Sequence, residues 1–113
     1  MIRLISFGYR DGPPPEAQHV FDCRKLANPH YDPALRPLDG RSPQVMTHIE
    51  HSKGYSDIHV KARFYATEDP NAILAFGCYG GRHRSVAVAE LLAMTLKYYP
   101  HTVEHRDLKK VEA

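Results

Sequence analysis

The stretch AILAFGCYGGRHRSVAVAELLA, residues 72–93, decides the fold. An apolar run, NAILAF (71–76), has the length of a strand that is covered on both faces. After the loop CYGGRHRS (78–85), apolar residues recur at spacings of three and four, which predicts a helix over 85–98. The apolar residues of this pattern are Val86, Ala89, Leu92, Ala93 and Leu96. A strand, a glycine loop and a helix in succession indicate an α/β unit.

The loop between this strand and this helix carries groups that bind anions. Gly80 and Gly81 permit a tight turn whose backbone N–H groups converge on one point. The following helix N-terminus adds partial positive charge. The basic side chains of the loop are Arg82, His83 and Arg84, and Ser85 follows them. The sequence therefore predicts a site for phosphate or another compact anion, the plainer alternative being a glycine turn with a serine cap and solvated arginines.

The composition is that of one small globular domain spanning residues 1–113, with 42% apolar and 25% charged residues. The net charge of +2 is too small for the whole chain to act as a polycation, so nucleic-acid binding would need a local patch. No apolar run reaches the ~20 residues of a membrane span, and no signal-peptide pattern opens the chain. A cytoplasmic protein without membrane contact is expected, with Cys23 and Cys78 as reduced thiols.

The rest of the chain alternates strand and helix patterns. Strands are predicted over 2–8, 19–24 and 101–105. Helices are predicted over 43–53 and 57–66, although the second pattern also fits a strand. Ser42 and Pro43 resemble an N-cap and a first helical residue, and Asp57 is the candidate cap of the next helix. The proline-rich segment 25–43 is too irregular for an element and is a functional candidate.

This order of elements predicts an α/β fold: a single small three-layer domain with a mainly parallel central sheet. Such sheets bind ligands where loops leave the carboxyl ends of the strands. The glycine-rich loop lies at such a position, at the N-terminus of the predicted helix 85–98.

Nucleotide fingerprints do not fit the loop, but a phosphatase signature does. A Walker loop needs a lysine before Ser85, and a G-x-G-x-x-G run is absent. The spacing matches C-x5-R-[ST] of cysteine-dependent phosphatases, in which a Cys78 thiolate attacks phosphorus while Arg84 holds the oxygens. The candidate general acids are Asp32 and Asp69. Gly77 stands where that family usually has histidine, so this enzyme is the alternative and the preferred interpretation assigns no catalytic residue.

Three segments together resemble a known family. They are SFGYRDGPPPEAQHVFD (6–22), VFDCRKLANPHYDPALRPLDG (20–40) and GCYGGRHRSVAVAE (77–90). They are similar to the C-terminal domain of the RNase adapter protein RapZ, with its D-x-R-x-L-x-N-P-H-[WY]-D-P-x-L-R-P-x-x-G run and its G-C-x-G-G-x-H-R-S loop. The resemblance covers nearly the whole chain. It implies an α/β fold similar to a sugar-phosphate-binding domain, standing alone without the N-terminal P-loop ATPase domain of that family.

The resemblance also implies a function: a sensor or adapter that binds a phosphorylated metabolite, an amino-sugar phosphate such as glucosamine-6-phosphate, without turning it over. The ligand-binding residues carried over are Asp22, Arg24, Asn28, His30, Cys78, Tyr79, Gly80, Gly81, His83, Arg84 and Ser85. The residues of the basic tail, implicated in RNA contact, are Arg106, Lys109 and Lys110. The implied partners are a small RNA, an RNA-processing enzyme, a separate ATPase chain and further copies of the chain. No cofactor and no metal are expected.

Some positions depart from the family or have a structural alternative. Tyr79 replaces the small hydroxyl residue that the family often has, which puts the identity of the ligand in question. Asp22 and Arg24 are close enough in sequence to tie down their own loop instead of binding ligand. The tail ends in acidic Glu112, so it also fits an ordinary solvated surface. A third interpretation is an RNA- or protein-interaction module whose loop binds backbone phosphate.

Overall fold

The computed structural model describes residues 1–108 and contains a four-stranded sheet in which all neighbouring strands are parallel. The strands are β1 (Ile2–Gly8), β2 (His19–Asp22), β3 (Ile73–Cys78) and β4 (His101–His105), in the order β2-β3-β1-β4. Parallel strands present their carboxyl ends along one edge of the sheet. Gly8 lies beside Cys78 in the central pair, so the chain leaves β1 and β3 at neighbouring points.

Three helices cover one face of the sheet. They are α1 (Pro43–Glu50), α2 (Tyr55–Glu68) and α3 (Arg84–Met94). α3 packs on β1, β3 and β4 and also contacts α1 and α2. The buried side chains of the helices form one core with Leu4, Leu74 and Phe76. α3 is therefore central, and its first six residues are all buried.

The opposite face of the sheet is covered by the segment that joins β1 to β2. Tyr9 lies edge-on to Phe7, with ring centroids 4.8 Å apart, and opens a 3-10 turn over Tyr9–Asp11. Gln18 accepts a hydrogen bond from the backbone N–H of Ile73 at the other end of the segment. The predicted α/β class, the parallel sheet and the glycine loop at a helix N-terminus are confirmed. The third layer is this connecting segment.

The glycine loop depends on a close approach between backbones. Gly81 has a φ of +70° and turns the chain from β3 into α3. A Cβ atom on Gly8 would lie 2.6 Å from the carbonyl carbon of Gly80, and one on Gly81 would lie 2.8 Å from the nitrogen of Gly8. Only glycine permits the loop to lie against the end of β1 in this way.

The element boundaries differ from the predictions by a few residues. α2 is a helix, as predicted, but Asp57 as its cap is wrong, because the left-handed Gly54 (φ +92°) precedes the first helical residue, Tyr55. Ser42 is at the N-cap of α1, yet its hydroxyl donates to the side chain of Gln44 and does not accept a capping hydrogen bond from a backbone N–H of the helix. Helix 85–98 is shorter than predicted, because α3 ends at Met94.

Both cysteines are free and buried, as expected for reduced thiols. None of the helices within residues 1–108 is long and apolar enough to span a membrane.

Candidate anion-binding site

A cleft of about 690 Å³ opens beside the loop that joins β3 to α3, at the carboxyl edge of the sheet. The lining residues from this loop and the start of α3 are Tyr79, Gly80, Arg82, His83 and Arg84. The other lining residues are Arg10, Asn28, His30, Tyr31 and Arg36. This is the position at which parallel α/β sheets bind ligands. Among residues 1–108, the lining of the cleft holds four arginines and no carboxylate.

Two of the arginines hold the walls of the cleft together through backbone carbonyls. Arg82 donates from Nη2 to the carbonyl oxygen of Pro37 at 2.6 Å and from Nε to that of Leu38 at 3.0 Å. Arg84 Nη1 donates to the carbonyl oxygen of Arg24 at 2.6 Å. The loop after β3 is thereby fixed to the irregular segment that follows β2.

These arginines are not paired directly with carboxylates within residues 1–108, although Asp39, whose pKa is lowered by hydrogen bonds from Arg41 and also by the charge of Arg82, lies near Arg82. Arg36 Nε also donates to a carbonyl, that of His30, at 2.6 Å. Within residues 1–108, Arg36, Arg82 and Arg84 form no ion pair with a carboxylate. A guanidinium group has five N–H donors, and a carbonyl accepts without carrying a formal charge. Three cations with unused donors therefore surround one cleft, which is the arrangement that binds phosphate oxygens.

His83 has a structural role in the wall. Its Nε2 donates to the carbonyl oxygen of Arg36 at 3.2 Å, and the residue is 8% exposed. Burial, helped by the positive charge of Arg82, lowers the pKa of His83 below its ordinary value. Hydrogen bonds to the backbone carbonyls of Leu38 and Arg36 act in the opposite direction on this pKa, and the bond to Arg36 ties the two walls of the cleft together.

Two tyrosines line the cleft with their rings largely in solvent. Tyr79 is 59% exposed and Tyr31 is 80% exposed. The guanidinium carbon of Arg10 lies 5.9 Å from the ring centroid of Tyr79. Arg10 also pairs with Asp11, Nη2 to Oδ2, at 3.3 Å. The cleft thus has aromatic surfaces next to its cations.

Asp22 and Arg24 do not line the cleft. They pair with each other, Oδ2 to Nη2, at 2.7 Å, and the backbone N–H of Arg24 also donates to Asp22. The guanidinium carbon of Arg24 stacks 3.9 Å from the ring centroid of Tyr9. Hydrogen bonds from Arg24 lower the pKa of the Asp22 carboxyl. Asp22 and Arg24 therefore hold their own loop in place, which is the structural alternative given in the sequence analysis, because each charged group is already paired with the other.

Cys78, Gly81 and Ser85 lie behind the surface of the cleft. Cys78 is 2% exposed, and its Sγ lies 3.1 Å from the Oγ of the fully buried Ser85. Gly81 is buried against Gly8. These three residues support the loop. The predicted residues that line the cleft itself are Asn28, His30, Tyr79, Gly80, His83 and Arg84.

This arrangement does not favour a phosphatase mechanism. The thiol of Cys78 is buried and hydrogen-bonded to Ser85, so it is not presented to a ligand in the cleft. Asp69 follows α2 and precedes β3, whereas Cys78 ends that strand. Six strand residues separate the two ends by roughly 20 Å. Asp69 is therefore at the wrong edge of the sheet to protonate a leaving group at the cleft.

Arg106, one of the predicted RNA contacts, makes internal contacts. Its Nε and Nη2 bond the carboxylate of buried Asp107, its Nη1 donates to the carbonyl of Pro13 at 2.6 Å, and its guanidinium lies 5.3 Å from the ring centroid of Phe7. Asp107 also accepts a hydrogen bond from the backbone N–H of Gly8 at 2.7 Å. Lys109 and Lys110 lie outside the described residues.

The predicted ligand-binding set omitted four residues that line the cleft. They are Arg10, Tyr31, Arg36 and Arg82. The place of Arg10 beside the loop could have been predicted from a parallel pairing of β1 with β3. This pairing sets Gly8 beside Cys78, so the residues that follow β1 lie next to those that follow β3. The backbone N–H of Arg10 indeed donates to the carbonyl of Tyr79 at 3.0 Å. All four lie in the three segments that carry the resemblance: Arg10 in 6–22, Tyr31 and Arg36 in 20–40, and Arg82 in 77–90.

Comparison with known proteins agrees with this resemblance. The family model described as the RapZ C-terminal domain matches residues 1–109. A nucleotide-binding protein of Thermus thermophilus is 44% identical over 97% of this chain and 44% of its own length. Similar proteins of Paramagnetospirillum magneticum and Gluconobacter oxydans are 43% and 39% identical over 95% and 96% of the chain, and 39% and 38% of their own lengths. The chain thus spans less than half the length of these relatives, and it belongs to the RapZ C-terminal domain family.

Proposed function

We propose that this chain binds a phosphorylated metabolite in the cleft and acts as a sensor or adapter. The observation that carries the proposal is that Arg36, Arg82 and Arg84 line one open cleft and form no ion pair with a carboxylate within residues 1–108. Arg84 is buried and Arg82 is half-buried, so their charges are costly unless an anion is bound, whereas Arg36 is exposed. Guanidinium groups bind phosphate in pairs of hydrogen bonds.

Among phosphorylated metabolites, an amino-sugar phosphate is the candidate that the family resemblance supplies. Its phosphate fits the arginines, and Asn28 and His30 are available for hydroxyl groups. Its ammonium group needs a carboxylate. Asp22, the one carboxylate in the ligand-binding set that the resemblance implies, is paired with Arg24 outside the cleft. Binding of this ligand class therefore requires the ion pair between Asp22 and Arg24 to open.

The adapter part of the proposal comes from the family. The relatives are named nucleotide-binding proteins, and this chain matches less than half of their length. A small RNA, an RNA-processing enzyme, a separate ATPase chain and further copies of the domain are the partners that follow from the resemblance, in a cytoplasmic setting. In this proposal, the occupied cleft changes how the surrounding loops meet such a partner.

A thermal-shift panel tests the proposal. Wild type, Arg36→Gln and Arg3→Gln are heated with glucosamine-6-phosphate, other sugar phosphates, nucleotides and inorganic phosphate. Arg3 is the matched control, because it is an exposed arginine at the amino end of β1 with its own partner, Glu104. A ligand at ~100 times its dissociation constant stabilises the fold by about 2.7 kcal/mol. The expected result is a phosphate-dependent shift in wild type and Arg3→Gln that is lost in Arg36→Gln. No shift with any phosphorylated compound would contradict the proposal.

A further inference from the structure

A buried carboxylate lies behind the glycine loop, on the side away from the cleft. Among residues 1–108, Asp107 is the one acidic residue that is fully buried, with 0% exposure. It belongs to the turn that follows β4 and does not line the cleft. Burial of a carboxylate is costly unless charged or polar groups surround it. The hydrogen-bond partners of Asp107 therefore indicate its role.

Asp107 supplies an acceptor where β4 no longer runs beside β1. The last residue pair between these two strands is Ser6 with His105, and β1 continues to Gly8. The backbone N–H of Gly8 donates to Oδ2 of Asp107 at 2.7 Å. A buried strand N–H needs an acceptor, and here the side chain of the turn provides one in place of a strand carbonyl.

Arg106 orients this carboxylate and also holds the other polar group of Gly8. Nη2 of Arg106 donates to Oδ2 of Asp107 at 2.9 Å, and Nε contacts both carboxylate oxygens at 3.1 Å. The same Nη2 donates to the carbonyl oxygen of Gly8 at 3.4 Å. A planar guanidinium group fixes a carboxylate through several donors at once. The N–H and the carbonyl of Gly8 are thus both held by the turn after β4.

The glycine loop packs directly against the backbone that this turn holds. A Cβ atom on Gly8 would lie 2.6 Å from the carbonyl carbon of Gly80, which lines the cleft. A Cβ atom on Gly81 would lie 3.1 Å from the Cβ of Asp107 itself. The loop therefore has the end of β1 and the side chain of Asp107 as its support, and a shift of either would displace the loop.

We propose that Asp107 is a positioning residue of the anion site. Its carboxylate fixes the end of β1 and thereby the backbone of the loop that lines the cleft. This inference rests on the proposed function and adds a residue on which ligand affinity depends without touching the ligand. The negative charge of Asp107 repels an anion, whereas its hydrogen bonds hold the loop in place, so charge and position act in opposite directions on the affinity.

Calorimetric titration of pyrophosphate into Asp107→Asn separates these two effects. Asparagine has nearly the shape of aspartate but only one acceptor oxygen, so it cannot bond Gly8 and Arg106 as the carboxylate does. Removal of the negative charge alone would tighten binding. Displacement of the loop weakens it, and we expect the affinity to fall at least ~10-fold, as for the loss of one hydrogen bond between the anion and a charged group.

Ile2→Ala is the matched control for a loss of stability. Ile2 is a core residue, 1% exposed, at the amino end of the same strand β1 and thus at the edge of the sheet opposite the cleft. Both variants should have a lower urea midpoint than wild type. At a temperature at which all three proteins are folded, Ile2→Ala should bind pyrophosphate within about twofold of wild type, because a purely structural change leaves the affinity of the folded protein unaltered.

Arg106→Lys gives a second test should Asp107→Asn not fold. Arg106 is partly exposed, and lysine keeps the positive charge but lacks the planar donors that orient Asp107. We expect this variant to bind pyrophosphate at least ~3-fold more weakly than wild type.

The outcomes distinguish this inference from the proposed function. Unchanged or tighter binding in Asp107→Asn, or unchanged binding in Arg106→Lys if Asp107→Asn does not fold, would overturn the inference. The anion site would still stand if Arg36→Gln lost affinity in the same titration. If wild type bound neither pyrophosphate nor glucosamine-6-phosphate, the proposed function would fail and this inference with it.

Discussion

Arg84 Nη1 donates a 2.6 Å hydrogen bond to the backbone carbonyl of Arg24 and so joins the two motifs of the chain directly. Arg84 begins α3, after the glycine loop, and Arg24 lies in the irregular segment that follows β2. The two segments are 60 residues apart in sequence. The contact explains how a segment without regular structure forms a fixed wall of the cleft: its backbone is held by arginines from the opposite wall.

Replacing Arg84 should lower both stability and anion binding. A hydrogen bond to a charged group contributes about 1.5–3 kcal/mol to stability, so Arg84→Gln should lower the urea midpoint of unfolding clearly. Arg84→Lys keeps the positive charge but lacks the planar set of donors of a guanidinium group, so it should restore part of the loss. Arg36 is exposed, and its side chain makes one hydrogen bond, to the backbone carbonyl of His30, so Arg36→Gln should weaken anion binding with little loss of stability. Equal losses of stability in the two variants would contradict the structural role assigned to Arg84.

The two loop glycines should respond differently to alanine. Gly81 has a φ of +70° and no room for a Cβ, which would lie 2.8 Å from the nitrogen of Gly8. Gly80 has no positive φ, and its Cβ would meet nothing closer than the side-chain tip of Arg10 at 3.8 Å. Gly81→Ala should therefore destabilise the fold by about 2 kcal/mol or more, and Gly80→Ala should be nearly neutral. Urea unfolding measures the loss of stability in each of the two variants. If Gly81→Ala were as stable as wild type, the loop would not need the left-handed turn at Gly81.

His83 should make stability fall as the pH is lowered. Burial and Arg82 hold its folded pKa below the ordinary histidine value of 6.5. As the pH falls, the unfolded chain therefore takes up the proton before the folded protein does. The contribution of His83 to the free energy of unfolding is full above pH 6.5 and is lost as the pH falls from there through the lowered pKa of the folded state. His59, whose pKa burial and Arg63 lower, acts in the same direction.

Urea midpoints measured from about pH 7.5 to pH 5 test this dependence. His83→Asn should reduce the pH slope without abolishing it, because His59 still contributes. The exposed His51, which does not line the cleft, provides the control substitution His51→Asn. An unaltered slope in His83→Asn would mean that the imidazole is not held neutral in the wall.

The two thiols should be unreactive in the folded protein. Cys23 is fully buried, and burial raises the pKa of its thiol, while Cys78 is 2% exposed and contacts Ser85. We expect mass spectrometry to detect alkylation of either cysteine only after unfolding in urea, and we expect no hydrolysis of an aryl phosphate. Rapid alkylation of Cys78 in the native state, together with phosphatase activity that is lost in Cys78→Ser, would instead support the cysteine-phosphatase alternative.

The sequence predicted the local features of the fold well. The apolar run before the glycines, the helical period after them and the turn at Gly81 are encoded by neighbouring residues, so β3, the loop and α3 were all predicted. The start of α2 was misplaced, because a left-handed glycine at 54 begins the helix before Asp57. Helix propensity alone does not distinguish a helix that begins after Gly54 from one that begins after Asp57.

The candidate site was predicted in part, and the differences arise from tertiary packing. Asn28, His30, Tyr79 and Arg84 reach the cleft, as expected. The ion pair between Asp22 and Arg24 and the burial of Cys78 depend on how the segments meet, which spacing does not reveal. The place of Arg10 follows from strand register, and the internal contacts of Arg106 follow from the buried carboxylate of Asp107.

The anion site is tested by calorimetric titration of pyrophosphate into wild type, Arg36→Gln and the control Arg3→Gln at low and moderate salt. We expect saturable binding of one anion in wild type and Arg3→Gln, weaker at higher salt and at least ~10-fold weaker in Arg36→Gln. Equal affinity in all three proteins, or no binding in wild type, would contradict the assignment of this cleft as an anion-binding site.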